Sequence, residues 1–265
     1  MQPLAVNDIV RECWSFFLHR WKDLAQAASL PFVMLLLLSV LVRGMMGPME
    51  LPDTAAAPET ATLPPGIGAL FIVKFLEGLV LASLAVALHR AVLLDEPLPP
   101  VLWIHARSLR YALRAIGLLL ASAVPTMVIF LLAMILGGGG MAAIQLAILP
   151  SMFATLFVIC RLHPVLTSNA IDLKGTFSAA WEQTKGQGFR LMLGAIVLLA
   201  PLMVGGTLLL LIVAGQFEGV PILQNIPQAV ALLTDLAEVA LLAIYFSFAW
   251  RRLSRPEQPV TTTSI

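Results

Sequence analysis

Four charged side chains sit where a chain this apolar has least reason to put them. Lys74 and Glu77 lie three residues apart in one long apolar run, and Asp235 and Glu238 lie three apart in another. Residues at that spacing share a helix face. In hydrocarbon each such group costs about 2.5–3.5 kcal/mol on insertion scales, so it turns to a bundle interior or a wet cavity. Two kinds of chemistry suit the group: a site for a proton or polar solute, or an ion-pair lock between two helices. Three acids against one lysine leave an excess of carboxylate, so at least one acid is expected to be protonated or reached by water. With a rise of about 1.5 Å per residue, all four lie roughly 9 to 15 Å below the outer surface. Gln145, near the outer end of a third run, is expected to join them.

A second group is basic. Arg107, Arg110 and Arg114 recur along one face of a helical pattern, with Arg90 nearby. Such a cluster suits anionic lipid headgroups, and it also suits the plain task of setting topology. The histidines His19, His89, His105 and His163 all fall near the same interface and read as ordinary interfacial residues. No helix carries two histidines four apart with a glutamate, no glycine loop leads into Lys-Ser or Lys-Thr, and no serine elbow is present. No catalytic residue, metal site or cofactor is therefore expected. Cys13 and Cys160 have neither the spacing nor the context of a metal or redox pair.

The elements that must carry these groups follow from composition. The chain has 265 residues, 59% hydrophobic and only 12% charged, with mean hydropathy +0.92. Its apolar runs reach the roughly 20 residues needed to cross a hydrocarbon layer of about 30 Å. The expected class is an all-α polytopic membrane protein, one domain over 1–254 with spans near 24–42, 67–88, 115–136, 141–160, 189–214 and 229–250. Arg43 to Gly66 reads as an exposed loop and 255–265 as a short disordered tail. Asp8, Glu12 and Asp23 ahead of the first run argue against a cleaved leader. Pro31, Pro125 and Pro201 predict kinks, and Gly137 to Gly140 a tight hairpin.

Three amphipathic segments precede spans. Val6 to Leu24 alternates an apolar face with a charged one and has Asn7 placed to cap it, Leu102 to Ile116 carries the arginines, and Phe177 to Leu191 follows the polar turn after Ile171. Each is expected to be an interfacial helix. Trp14 precedes Trp21, Trp103 precedes Tyr111, and Trp181 precedes Phe189, while Asp95 and Asp172 keep a similar offset before Trp103 and Trp181. Three repeated hairpin units and three generic interfacial helices both remain open. Tyr245, Phe248 and Trp250 read as an aromatic belt at the end of the last span.

Lys and Arg concentrate in cytoplasmic loops. One side carries Arg11, Arg20, Lys22, Arg90, Arg107, Arg110, Arg114, Arg161, Lys174, Lys185, Arg190, Arg251, Arg252 and Arg255, and the other Arg43 alone. Both termini and all three amphipathic segments are therefore expected on the cytoplasmic side.

Arg161-Leu-His-Pro-Val, then Asn169-Ala-Ile-Asp172, then the segment Phe177 to Phe189 with Trp181, Thr184, Lys185 and Gly188, resembles a pattern in a family of bacterial six-span inner-membrane proteins. The stretch Val6 to Trp14 resembles the opening helix of that family, so the likeness covers most of the chain. The family includes uncharacterised stand-alone proteins and the membrane domain fused to some glycerophosphodiester phosphodiesterases. The resemblance implies an inner-membrane helical domain concerned with envelope lipids and transfers no catalytic residue. The expected function is a non-enzymatic scaffold or accessory in envelope or lipid homeostasis whose partners are membrane lipids and a further protein, with no nucleic acid. The alternatives are a small proton-coupled or polar-solute transporter using the charged quartet, and a membrane subunit of a larger complex.

Overall fold

The computed structural model describes residues 4–46, 67–138, 140–216 and 226–254. The tail 255–265 and loop positions 47–66 lie outside them. The described chain is all helical: α1 (Val6–Met46), α2 (Ile67–Leu93), α3 (Ala106–Leu136), α4 (Met141–Leu162), α5 (Pro164–Ala170), α6 (Phe177–Gln183), α7 (Gly188–Gln216) and α8 (Ile226–Leu253). Six segments are long and apolar enough to cross a membrane, with α4 and α5 counting as one. The chain is a multi-pass membrane protein.

Two of the three expected interfacial helices are not separate elements. Val6 to Leu24 runs on into the first span as one 41-residue helix, and the arginine segment runs on into the third span as one of 31 residues. Nothing in either stretch forces a break. Helix α1 starts at Val6, with the Ala5 carbonyl accepting from Ile9 N, so Asn7 lies inside the first turn instead of capping it. Only the third segment stands alone, as α6, capped by Thr176 Oγ1 accepting from Ala179 N at 3.2 Å.

Pro31 lies inside α1 and has no N–H to give the carbonyl four residues back. That carbonyl belongs to Ala27, which is wholly buried, and it accepts instead from Leu102 N at 3.1 Å. The missing helical bond becomes the point where the loop between α2 and α3 docks. An unpaired carbonyl there would carry a desolvation penalty of about 1–3 kcal/mol.

Helices α2 and α8 form the middle of the bundle: 50% and 44% of their apolar windows are buried, against 11% for α3 and α7. Helix α8 packs on α1, α2 and α7, while α3 and α4 pair as the expected antiparallel hairpin. Gly138 turns that hairpin at φ +67°, which a side chain resists. The core is concentrated at the end of the bundle that holds Arg90, Arg161 and Arg251, here called the basic end. At that end α1 begins against α7: a Cβ on Gly194 would lie 2.6 Å from Val6 Cγ1 and would collide with the Tyr245 hydroxyl. Tyr245 is not in an aromatic belt. It is fully buried and donates to Leu191 O at 3.0 Å.

Gly194→Ala is therefore expected to cost about 1–3 kcal/mol by overpacking, read as a lower midpoint in detergent thermal melts. Gly205→Ala, with open space around its Cβ, leaves the midpoint within the scatter of surface changes. Adding Tyr245→Phe to Gly194→Ala recovers part of the loss, because the colliding hydroxyl has gone.

Candidate functional site

The arginines converge on one carboxylate. Arg107 meets Asp172 with two bonds, Nε to Oδ1 at 3.1 Å and Nη2 to Oδ2 at 2.9 Å. Arg90 donates Nη1 to Asp172 Oδ2 at 3.0 Å and to Ala170 O at 3.2 Å, and Arg110 reaches Asp172 Oδ1 at 3.5 Å. Arg114 donates to Gly175 O at 2.8 Å. The other side of Arg90 is taken by Glu96, through Nε at 2.6 Å and through Nη2. Parallel guanidinium–carboxylate bonds of this kind are the strong class of hydrogen bond. So α2, α3 and the turn after α5 are fastened by an ionic knot.

The backbone aims the knot. Asp172 sits two residues past α5 at φ 62°, and Asp95 sits two residues past α2 at φ 55°; these are the positive-φ residues other than glycine among those described. Aspartate tolerates that region better than most side chains. The shared offset in the sequence thus corresponds to a shared backbone state, and neither that offset nor the Asn169-to-Asp172 motif encodes the part of Asp172 as a hub.

Charge–charge attraction and hydrogen bonding act in the same direction here. Bonds from Arg107, and its charge with that of Arg90, hold the Asp172 carboxyl below its usual range, while bonds from Arg90 do the same for Glu96. Both acids are therefore ionised in the folded protein to lower pH than in the unfolded chain.

The neighbouring Arg161 is held differently. Its guanidinium lies 3.6 Å from the centre of the Trp181 ring, donates to Trp181 O, and gives Nε to Thr184 Oγ1 at 3.3 Å. The Thr184 hydroxyl is also 2.8 Å from Ala180 O. A Cβ on Gly188 would come within 2.7 Å of Arg161 Cγ. Trp181, Thr184 and Gly188 thus read as parts of one socket that seats α6 on α4.

Two of the four histidines, expected as ordinary interfacial residues, are buried. His89 and His163 are 0% and 7% exposed, with ring centres 5.7 Å apart, and His163 stacks on Phe246 at 3.7 Å. His89 Nδ1 is 2.7 Å from Ser247 Oγ, and Nε2 is 3.2 Å from the Tyr111 hydroxyl. Ser247 spends its proton on Ala243 O at 2.7 Å, so its oxygen accepts from His89. Nδ1 then carries the proton and Nε2 accepts from Tyr111. The network closes with a neutral ring and no donor left over, tying α2, α3 and α8. Spacing along one helix does not reveal such a site, because its members come from three.

The charged quartet is only partly assembled. Lys74 Nζ meets Glu77 Oε2 at 2.8 Å, with side chains 64% and 12% exposed. That pair lies within α2 and joins no second helix. Asp235 and Glu238 lie half-buried on α8, Asp235 close enough to feel the charges of Glu77 and Lys74, and Glu238 that of Asp235. Among the described residues no ion pair crosses from α2 to α8 here. Gln145 is exposed on α4, which packs on α3 and α7, away from the quartet.

Cys13 and Cys160 are buried free thiols. Among the described residues no group of three or more His, Cys, Asp or Glu is placed to hold a metal ion. The chain matches no family model, no curated protein and no solved structure.

An acid whose folded pKa is depressed contributes stability that is present above its unfolded pKa and lost as the pH falls through the folded one. Thermal midpoints are therefore expected to hold from neutral pH down to the ordinary carboxylate range and then fall below it. Asp172→Asn keeps the backbone state but removes the charge. It should cost about 1 kcal/mol at neutral pH and flatten the acid-side decline in detergent melts.

Proposed function

We propose that the protein is a non-enzymatic scaffold of a bacterial inner membrane, set with its basic end toward the cytoplasm, which holds a fixed cationic platform against anionic lipid headgroups. The observation that carries this reading is the surplus of charge around the knot: Arg90, Arg107, Arg110 and Arg114 face Glu96 and Asp172. Arg110 is 63% exposed and holds Asp172 only at 3.5 Å. A rigid cluster loses little entropy on meeting a headgroup, and each cation near an anionic surface is worth about 1 kcal/mol.

The resemblance to the six-span inner-membrane family supports a setting among envelope lipids and brings no catalytic residue. The non-enzymatic reading is also supported by His89, whose hydroxyl partners are saturated and sealed from solvent. The amphipathic faces of α1, α3 and α6 fit a position at the headgroup level, and the Asp95 and Asp172 turns fit a repeated unit. A further protein partner belongs to the same proposal.

A second reading, a small proton-coupled or polar-solute transporter, is favoured by one observation. Lys74 is 64% exposed beside Glu77, and Asp235 has no cation of its own on α8 within helical reach.

Native mass spectrometry of the detergent-purified chain is expected to retain anionic over zwitterionic phospholipid, with Arg110→Gln reducing the preference about fivefold; equal retention of both lipid classes removes the platform. Under the transporter reading, proton-dependent uptake into liposomes is lost in Asp235→Asn or Glu238→Gln, and intact uptake in both removes the quartet from any mechanism.

A further inference from the structure

The platform contains one concavity that its ionic bonds do not fill. A cavity of about 210 Å³ opens between the end of α2, the 94–105 loop and the first turn of α3, lined among others by Arg90, Glu96, Trp103, His105, Arg107 and Ser108. Glu96, Ala170 O and Asp172 take four of the five N–H groups of Arg90 and leave one on Nη2. Arg90 therefore supplies mainly charge. Arg107 spends Nε and Nη2 on Asp172 and keeps Nη1, which makes no hydrogen bond among the described residues.

The first turn of α3 supplies the remaining donors. His105 is its N-cap, in extended conformation and with no side-chain cap bond, and the turn contains no acid. Leu109 N is the first amide of this helix with a backbone partner, His105 O. The N–H groups of Ala106, Arg107 and Ser108 therefore end a 31-residue helix without one, and the helix dipole makes that end attractive to an anion. An independent feature points the same way. Ser108 is 2% exposed, lines the cavity, and its hydroxyl has no hydrogen bond among the described residues. A hydroxyl at the wall of a cavity keeps its donor and its acceptors for whatever occupies that space.

We propose that this cavity binds a phosphate group, held by the α3 amides, the Ser108 hydroxyl and Arg107 Nη1, with Arg90 providing background charge. Glu96 does not fill the role, because its carboxylate is turned to Arg90. Two sources carry that chemistry: the headgroup of an anionic phospholipid and soluble inorganic phosphate. Trp103, 64% exposed and part of the cavity lining, puts an apolar lip beside the phosphate position, as the glycerol end of a lipid requires. The proposal rests on the reading of the basic end as an anion-facing platform, but it assigns the recognition to Ser108 and not to Arg110.

The test titrates the full chain in detergent with short-chain phosphatidylglycerol, phosphatidylcholine and inorganic phosphate, in native form and as Ser108→Ala and Ser108→Asp. Ser108→Ala is expected to weaken the phosphate-bearing ligand about tenfold. Ser108→Asp places a carboxylate in the first helical turn, which favours the helix, and should keep the thermal midpoint while abolishing binding. If the aspartate lowers the midpoint, the alanine variant decides. Phosphatidylglycerol preferred over phosphatidylcholine and weakened in Ser108→Ala identifies the headgroup as ligand. Inorganic phosphate bound and weakened in Ser108→Ala, without preference between the lipids, keeps the cavity site and removes the platform. Phosphatidylglycerol preferred but unchanged in both variants overturns the cavity site and leaves the platform standing. Binding of neither probe overturns the cavity site.

Discussion

One carboxylate makes the basic end possible. Arg90, Arg107 and Arg110 come from two helices and would repel one another if brought together without a counter-charge. Asp172 accepts from all three, and it reaches them because the turn after α5 enters the left-handed region at φ 62°. That turn is in turn pinned by its neighbours. Arg114 holds Gly175 O, and a Cβ on Gly175 would collide with Ser168 of α5. The short helix α5, wholly buried, carries the chain to the turn that presents this acid.

The second constraint is the scarcity of water. A polar group in the bundle must find a protein partner or carry its desolvation penalty. His89 meets this with Ser247 and Tyr111, Arg161 with Thr184 and the Trp181 ring and carbonyl, and Thr126 with Thr155 at 2.6 Å between α3 and α4. The Ala27 carbonyl that Pro31 releases meets it with Leu102. Each of these bonds joins elements distant in sequence. What looks like polar decoration in an apolar chain is therefore the set of directional contacts that selects one packing among many, since apolar side chains in lipid gain little by choosing each other over acyl chains.

The number and rough limits of the six spans are legible because hydropathy, Pro64-Pro65-Gly66 ahead of α2 and the four glycines before α4 are local signals. Helix continuity is not. The sequence of Val6–Met46 suggests two elements because its amphipathic pattern changes to an apolar one near Leu24, yet a change of surroundings along a helix does not break its backbone. The arginine positions on one face of α3 suit either lipid contact or topology-setting charge. Their partners come from the turn after α5, a contact that helical periodicity does not encode. All four histidines read as interfacial residues, yet His89 and His163 are buried among side chains of other helices, which spacing along one helix does not encode.

The two ends of the bundle differ in how their charges are used. At the basic end nearly every guanidinium nitrogen of Arg90 is bound, Arg252 holds Glu12 at 2.7 Å and Ala5 O at 3.2 Å, and Arg251 holds Val92 O. These charges serve assembly first, so a ligand can engage only the donors left over, at Arg107, Arg110 and the first turn of α3. In the opposite half, Lys74 bonds Glu77 on its own helix, a contact that would form in an isolated α2 and so does not select the packing of α2 on α8. Asp235 and Glu238 then carry their insertion cost with no assembly contact among the described residues to offset it. That difference in contacts separates the quartet from the arginine knot more sharply than charge or depth does.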